Sequence, residues 1–268
     1  MGEWVAVIRD PRFSPNAVEK DRAILQAVAD RLGGALMLEE QDLLSLTNHD
    51  LKGKKWLSMG RRPETLDFLR MRVGKGALVI NNPEGVARCK RTILRRVMEN
   101  LAVPVPPKSG TYGHWVKRDD GAAQTAADIV YVPPEDSLQA HIDDFLRRGI
   151  NEMVVEAHIP GDVVKFYGVD STGFFRIFYP SDDGMSKFGQ EKVNGPAGHY
   201  VFDIGSLQRK VESVARFLEV PIYGGDAIVT REGRFFVIDF NDWPSFSRCR
   251  DEAADAIASL VEIMSSEE

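Results

Sequence analysis

Cysteine is nearly missing from this chain. Cys89 and Cys249 are the whole complement, too few for a disulfide framework and without the clustered spacing of a zinc site, so both are expected to be reduced and structural. Long apolar runs are missing too. Stretches such as "MVV" and "ALVI" are strand length, far short of the roughly 20 residues that cross a bilayer, which excludes a membrane span. The opening "MGEWVAVIRD" lacks a basic segment followed by a hydrophobic stretch, so no secretory signal is expected and the cytoplasm is the expected compartment. Positive charge is in deficit: 34 Lys and Arg against 40 Asp and Glu give a net charge of -6. That balance argues against a general nucleic-acid binder and favours a small-molecule ligand. Internal repeats and low-complexity segments are absent as well.

What is present is an alternation of short β-rich runs and helical patterns. "WVAVI" (4–8) is predicted as a strand; Ile24, Leu25, Val28 and Leu32 mark one helix face, ended by Gly33-Gly34; "ALMLE" (35–39) returns to strand. "KKWLSMG" and "ALVINNP" add two strands with a helix between them, and this order implies a parallel sheet flanked by helices. A helix carrying Ile93, Leu94, Val97, Met98 and Leu101 is then stopped by "VPVPP" (103–107), the first expected domain boundary. "GHWVKR" and "DIVYV" are predicted as two strands joined by "DDGAAQTAA", followed by a helix over Leu138 to Leu146. From 153 onward strands dominate, with turns at Ser171-Thr172-Gly173 and Arg231-Glu232-Gly233 that suggest antiparallel hairpins.

The strongest chemical signal is "GGDAIVTREGRFFVIDFNDWP". Asp239 and Asn241 stand at i and i+2 of one strand and point to the same side, and a hairpin at Glu232-Gly233 folds Asp226 back toward them. Three oxygen-bearing side chains in an otherwise apolar strand pair form the hard-ligand environment that Mg²⁺ prefers, with phosphate oxygens and water completing the shell. An ordinary hairpin with polar ends is the alternative, but a carboxylate and an amide inside "FFVIDFN" cost energy unless they are paired or bound to metal.

The spacing of thirteen from Asp226 to Asp239, two more to Asn241, and then Pro244 resembles the metal-binding signature of the ATP-grasp superfamily. The resemblance implies two magnesium ions held against ATP, with Asp239 bridging both and Asp226 and Asn241 binding one each. It implies an ATP-grasp fold of mixed α/β and α+β class: an N-terminal parallel βα lobe (1–102), a small central lobe (103–160) and a C-terminal antiparallel sheet with helices (161–268). It aligns Arg91, with Lys90 adjacent, with a nucleotide-contacting cation. It aligns Lys117 with the strand lysine of the α- and β-phosphates, and the loop of Gly121, Ala122 and Ala123 with the phosphate cover. Such a loop also lets backbone amides approach phosphate oxygens on physical grounds alone. Glu156, Ala157 and Ile159 look like the adenine-facing hinge, Asp162 is among the nucleotide-binding candidates, and Lys165 and Arg176 resemble the cations that act on the γ-phosphate.

The segment "YPSDDGMSKFGQEKVNG" (179–195) sits where acceptor-facing residues are expected. Lys187, Lys192, Asn194 and Arg248 could line a cationic pocket for a small anionic acceptor. Two reactions remain open. In the ligases of the superfamily a carboxylate attacks the γ-phosphate and the acyl phosphate is resolved by an amine; in its inositol phosphate kinases a hydroxyl is the acceptor. The kinases are similar to this chain in having Asp at the middle metal position and an aromatic before the proline, as in "DFNDWPSF", with Asp162, Asp170 and Asp182 as nearby general-base candidates. A nucleotide-binding protein without turnover is a third reading.

Overall fold

A computed structural model of the chain describes residues 3–45, 55–119, 125–182 and 193–266. Strands β1 (Trp4–Ile8), β2 (Ala35–Glu39), β3 (Lys55–Ser58) and β4 (Val79–Ile80) form a parallel sheet in the order β2-β1-β3-β4. β1 is buried along its whole length, as its unbroken apolar run requires of a strand covered on both faces. Helix α1 (Val18–Arg31) leads into β2 through Gly33 and Gly34, both at positive φ, where the Gly34 amide donates back to the Ala29 carbonyl (2.8 Å). Helices α2 (Pro63–Val73) and α3 (Pro83–Ala87) each start on a proline, whose fixed φ suits a first turn. Because β2 is added on one side of β1 and β3 on the other, the loops leaving the carboxyl ends of β1 and β3 diverge.

After α4 (Arg91–Asn100) comes a small antiparallel sheet of β5 (His114–Arg118), β6 (Ile129–Val132) and β7 (Met153–Ala157), ordered β6-β5-β7. Helix α5 (Leu138–Arg147) covers it around Val116, Val132, Phe145 and Ile150. The last sheet is antiparallel, ordered β11-β10-β8-β9, from β8 (Asp162–Val169), β9 (Phe174–Phe178), β10 (Ile222–Val229) and β11 (Phe235–Asp242). Its two expected hairpin turns are present, with Ser171, Gly173 and Gly233 at positive φ.

Alternation along these strands decides the layering. Phe166, Tyr223 and Phe240 face α4 and α6 (Ile204–Leu218), so α4 packs on the C-terminal sheet beside a helix more than a hundred residues away. Tyr167, Val169 and Ile222 face the other way, into a core shared with α7 (Arg250–Ser266), α1 and Trp4, Ala6 and Ile8 of the parallel sheet. No helix among the described residues is long and apolar enough to cross a membrane.

Candidate nucleotide and metal site

β10 and β11 place Asp226 directly opposite Asp239, and Asn241 follows two positions on. The ladder slips between Asp226 and Ala227, leaving Ile238 without a cross-strand partner. Such a bulge re-aims the groups beside it. Here the Ile238 carbonyl accepts from Lys117 Nζ (3.0 Å), which reaches across from β5 and also donates to Glu156 Oε2 (2.8 Å). On β8, Lys165 stands opposite Asp226 and donates to its Oδ1 (2.7 Å). Arg91 Nη2 lies 3.9 Å from Asp239 Oδ2, and Asn241 Nδ2 donates to the same oxygen (3.4 Å).

Charge in this cluster is balanced by its neighbours. Burial pushes the Asp239 carboxyl up, but Arg91 and Lys117, the Asn241 hydrogen bond and Lys165 outweigh it, and Asp239 is held below the usual carboxylate range. Burial pulls Lys165 down, and the charge and hydrogen bond of Asp226 more than offset that, so it stays a cation. Asp226, Asp239 and Asn241 can present hard oxygens to a divalent cation of the magnesium type, and an Asp239 kept ionised suits that use. Among the described residues no three His, Cys, Asp or Glu side chains gather as a metal centre. Two carboxylates and an amide suit an ion that brings further oxygen ligands with it.

These groups line a cavity of about 510 Å³. At one end Trp115, Ile129, Ile159, Val163, Ile228 and Ile238 make apolar walls of the kind that hold a flat heteroaromatic base. The indole N–H of Trp115 donates to His158 Nδ1 (3.1 Å), and burial lowers the His158 pKa, so this imidazole is neutral. At the other end the cavity passes Asp239 and Asn241 to reach Arg61, Leu66 and Val86 beside the parallel sheet.

Several expected residues do meet in the cavity: Arg91, Lys117, Glu156, Ala157, Ile159, Lys165, Asn194, Asp226, Asp239 and Asn241 all line it. Arg91, rather than the more exposed Lys90, faces Asp239; Lys90 lies 3.9 Å from Glu152. The Glu156 carboxylate is occupied by Lys117 and by Arg95 (3.3 Å), and the Ala157 amide donates to the Pro107 carbonyl (2.7 Å), so neither of these groups is free for adenine or ribose.

The remaining expected groups have the following partners. Arg176 pairs with Glu252 of α7 (2.5 Å) and is not among the residues that line the cavity. Asp162 is buried and accepts from the amides of Gly198 (2.7 Å) and Tyr200 (2.8 Å); it anchors a loop, where a nucleotide ligand was expected. Arg248 stacks over Phe178 (5.3 Å) outside the cavity wall. Asn194 Oδ1 accepts from the Gly161 amide (3.3 Å), supporting the turn into β8. Asp170 pairs with Arg216 (2.8 Å) and Asp182 with His199 (3.1 Å), so none of the three base candidates faces the cavity. Gly121, Ala122, Ala123, Lys187 and Lys192 lie outside the described residues.

Trp115 and Ile238 were missed, although Trp115 shares a strand face with Lys117 and could have been found from that spacing. Asp119, also missed, is buried and accepts from the first amides of α4, Arg91 N (2.5 Å) and Thr92 N (2.9 Å). It takes the anion place at that helix start and so fixes Arg91 at the cavity wall. No local signal marks it, because Lys90 before the helix makes no side-chain cap.

No protein-family model matches the sequence, and no curated protein matches it. Solved structures resemble the fold. D-alanyl-alanine synthetase A from Vibrio cholerae O1 biovar eltor str. N16961 aligns with a TM-score of 0.61 over 96% of this chain and 99% of that one, at 12% identity. The ATP-grasp ligase PsnB, solved with a phosphomimetic variant of its minimal precursor, Mg and ADP, aligns with a TM-score of 0.56 over 96% of this chain and 98% of that one, at 14% identity.

Proposed function

We propose that this chain, whose fold is that of the ATP-grasp proteins, is an ATP- and magnesium-dependent ligase that activates a small carboxylate for attack by an amine. The observation that carries the reading is the convergence of Asp226, Asp239 and Asn241 with Lys117, Lys165 and Arg91 in one cleft that has an apolar base-sized end. The neighbour solved with Mg and ADP lends its nucleotide and metal to the same reading.

Asp226, Asp239 and Asn241 would hold magnesium, which when bound neutralises the triphosphate and polarises its γ-phosphoryl oxygens. Whether one ion or two bind, the three side chains leave room for phosphate oxygens in the shell. Lys117 and Arg91 supply positive charge along the phosphates. Lys165, which donates to Asp226 in the same cleft, would supply positive charge to the transferring group. An acceptor carboxylate oxygen bonds to the γ-phosphorus as the bond to the β,γ-bridging oxygen breaks and ADP leaves. The amine then attacks the acyl carbon and phosphate departs.

A hydroxyl-phosphorylating kinase is favoured by Asp239 standing where most of the ligases carry Glu, and it shares every part of the nucleotide site. It has less support at the acceptor. A hydroxyl needs a base, and Asp162, Asp170 and Asp182 are engaged elsewhere. A polyanionic acceptor needs spare cations, and among the described residues lining the cavity Arg61, Arg70, Lys90, Arg91, Lys117 and Lys165 each lie within ion-pair distance of a carboxylate. Hydroxylamine separates the two: with enzyme, Mg-ATP and an acceptor acid, a hydroxamate is expected, and a stable phosphate ester in its place would establish the kinase.

A further inference from the structure

We infer that the acceptor is a small monocarboxylic acid with a hydrophobic body and no second charge, seated in the end of the cavity that lies against the parallel sheet. This rests on the phosphoryl-transfer reading above and adds the chemical class of its acceptor.

Parallel sheets open a ligand crevice outside the carboxyl ends of their strands, at the point where the strand order reverses. In this sheet that point lies between β1 and β3, and the cavity extends to it. Phe13 comes from the loop after β1, Pro63 and Leu66 from the segment after β3, and Val86, Ala87 and Cys89 from the segment after β4. Cys89 acts there as a small apolar surface.

Among the described residues, the cations Arg61 and Arg70 at this end each already lie beside a carboxylate. Arg61 Nη2 lies 2.5 Å from Asp242 Oδ1, and Arg70 holds Asp67 (2.6 Å) and Glu84 (2.8 Å). Asp242 is buried, with Arg61 and Arg9 both within ion-pair distance of its carboxylate. Among the described residues, an acceptor's second charge would meet Phe13, Leu66 and Val86 with Arg61, Arg70 and Asp242 already paired, at a cost that a hydrocarbon body avoids. Its one carboxylate can point out of the apolar end toward Asp239, Arg91 and Lys165, where the γ-phosphate would lie.

The test measures acceptor-dependent ADP release and hydroxamate formation by the full chain with Mg-ATP. It uses two series of acids of matched size: 3-methylbutanoate, 4-methylpentanoate and 3-phenylpropanoate against succinate, glutamate and a phosphorylated hydroxy acid. Turnover is expected with the first series, with KM falling about fourfold per added methylene. Phe13→Ala is expected to raise KM for 3-phenylpropanoate roughly tenfold while the Kd for ATP is unmoved. Ala87→Asp, which adds a charge to the same wall, is expected to abolish use of the first series; because Ala87 is only half-buried, the fold should bear it. Turnover confined to the second series, or a KM indifferent to the size of the body, would overturn the acceptor class and leave phosphoryl transfer standing. Mg-ATP binding without ADP release from either series would also overturn it. A chain that fails to bind Mg-ATP at all would remove the underlying functional reading instead.

Discussion

Asp239 concentrates the chemistry at the residue scale. It is half-buried, it faces Asp226 across the ladder, and its charge is kept by Arg91, Lys117 and Lys165. Replacing it with alanine removes an oxygen ligand and leaves those cations facing each other, so Asp239→Ala is expected to lower ATP turnover by a hundredfold or more, in the range of about 10²–10³ seen when a charge-stabilising group is lost. Circular dichroism should show the fold retained, and unchanged turnover would refute the assignment. The depressed pKa has a signed consequence. A carboxylate whose folded pKa lies below its unfolded value contributes stability that is present above the unfolded pKa and lost as pH falls through the folded one. Asp239→Asn should therefore be less stable than the parent at neutral pH, and the gap should narrow below about pH 4. Denaturant melts across pH 2.5 to 7 would test this, and a gap independent of pH would contradict it. The two thiols stay outside the chemistry: burial pushes Cys249 up to about 11 and Cys89 higher still, which leaves both protonated.

Elements supply the precision that a residue cannot. The bulge at Ile238 turns a carbonyl out of the β10-β11 ladder and gives Lys117 its second acceptor, which ties the small sheet to the metal-site strands. Close backbone approach keeps that strand pair in place. A Cβ on Gly225 would overlap the Asp239 carbonyl and the Phe166 ring. Gly225→Ala is thus expected to cost about 1–3 kcal/mol of stability and to reduce activity further than the unfolded fraction explains, because Asp239 must shift with its own backbone. Gly205→Ala, near the start of α6 with only flexible side-chain tips nearby, should be neutral or slightly stabilising in the same melt. Equal effects at the two glycines would show that backbone approach at Asp239 is not the cause. Element existence was legible from the sequence because apolar periodicity is local: the strands at 4–8 and 35–39 fall where the pattern puts them. The bulge was not legible, since simple alternation through "FFVIDFN" gives no sign of the residue that drops out of the ladder.

Over the whole molecule, one buried charge network joins the two ends of the chain. Arg9, at the end of β1, donates to the carbonyls of Asp242 (3.2 Å) and Trp243 (2.8 Å) and to Asp21 (3.3 Å), while Arg61 holds the Asp242 carboxylate. The backbone just beyond Asn241 is thereby fastened to the parallel sheet, and α7 packs into the core that both share. Removing one partner from such a network leaves buried carboxylates uncompensated, so Arg9→Met is expected to cost about 3–5 kcal/mol and to lower Tm by roughly 10 °C, with weaker Mg-ATP turnover in the surviving folded protein. A melt within 2 °C of the parent, by that estimate less than about 1 kcal/mol, would mean that the lobes hold together without it.

Taken alone, the sequence determined the class of most elements and the alignment of Asp226, Asp239 and Asn241 on neighbouring strands, because backbone periodicity and hairpin spacing act over a few residues. Partner choice was decided only by tertiary packing. Whether Arg176 meets phosphate or Glu252, whether Asp162 meets a nucleotide or the amides of Gly198 and Tyr200, and that Arg9 lies against Trp243, 234 positions away, all depend on which surfaces the core brings together. A charged side chain is satisfied by whichever complementary group burial places beside it, and its neighbours in the chain do not specify that group.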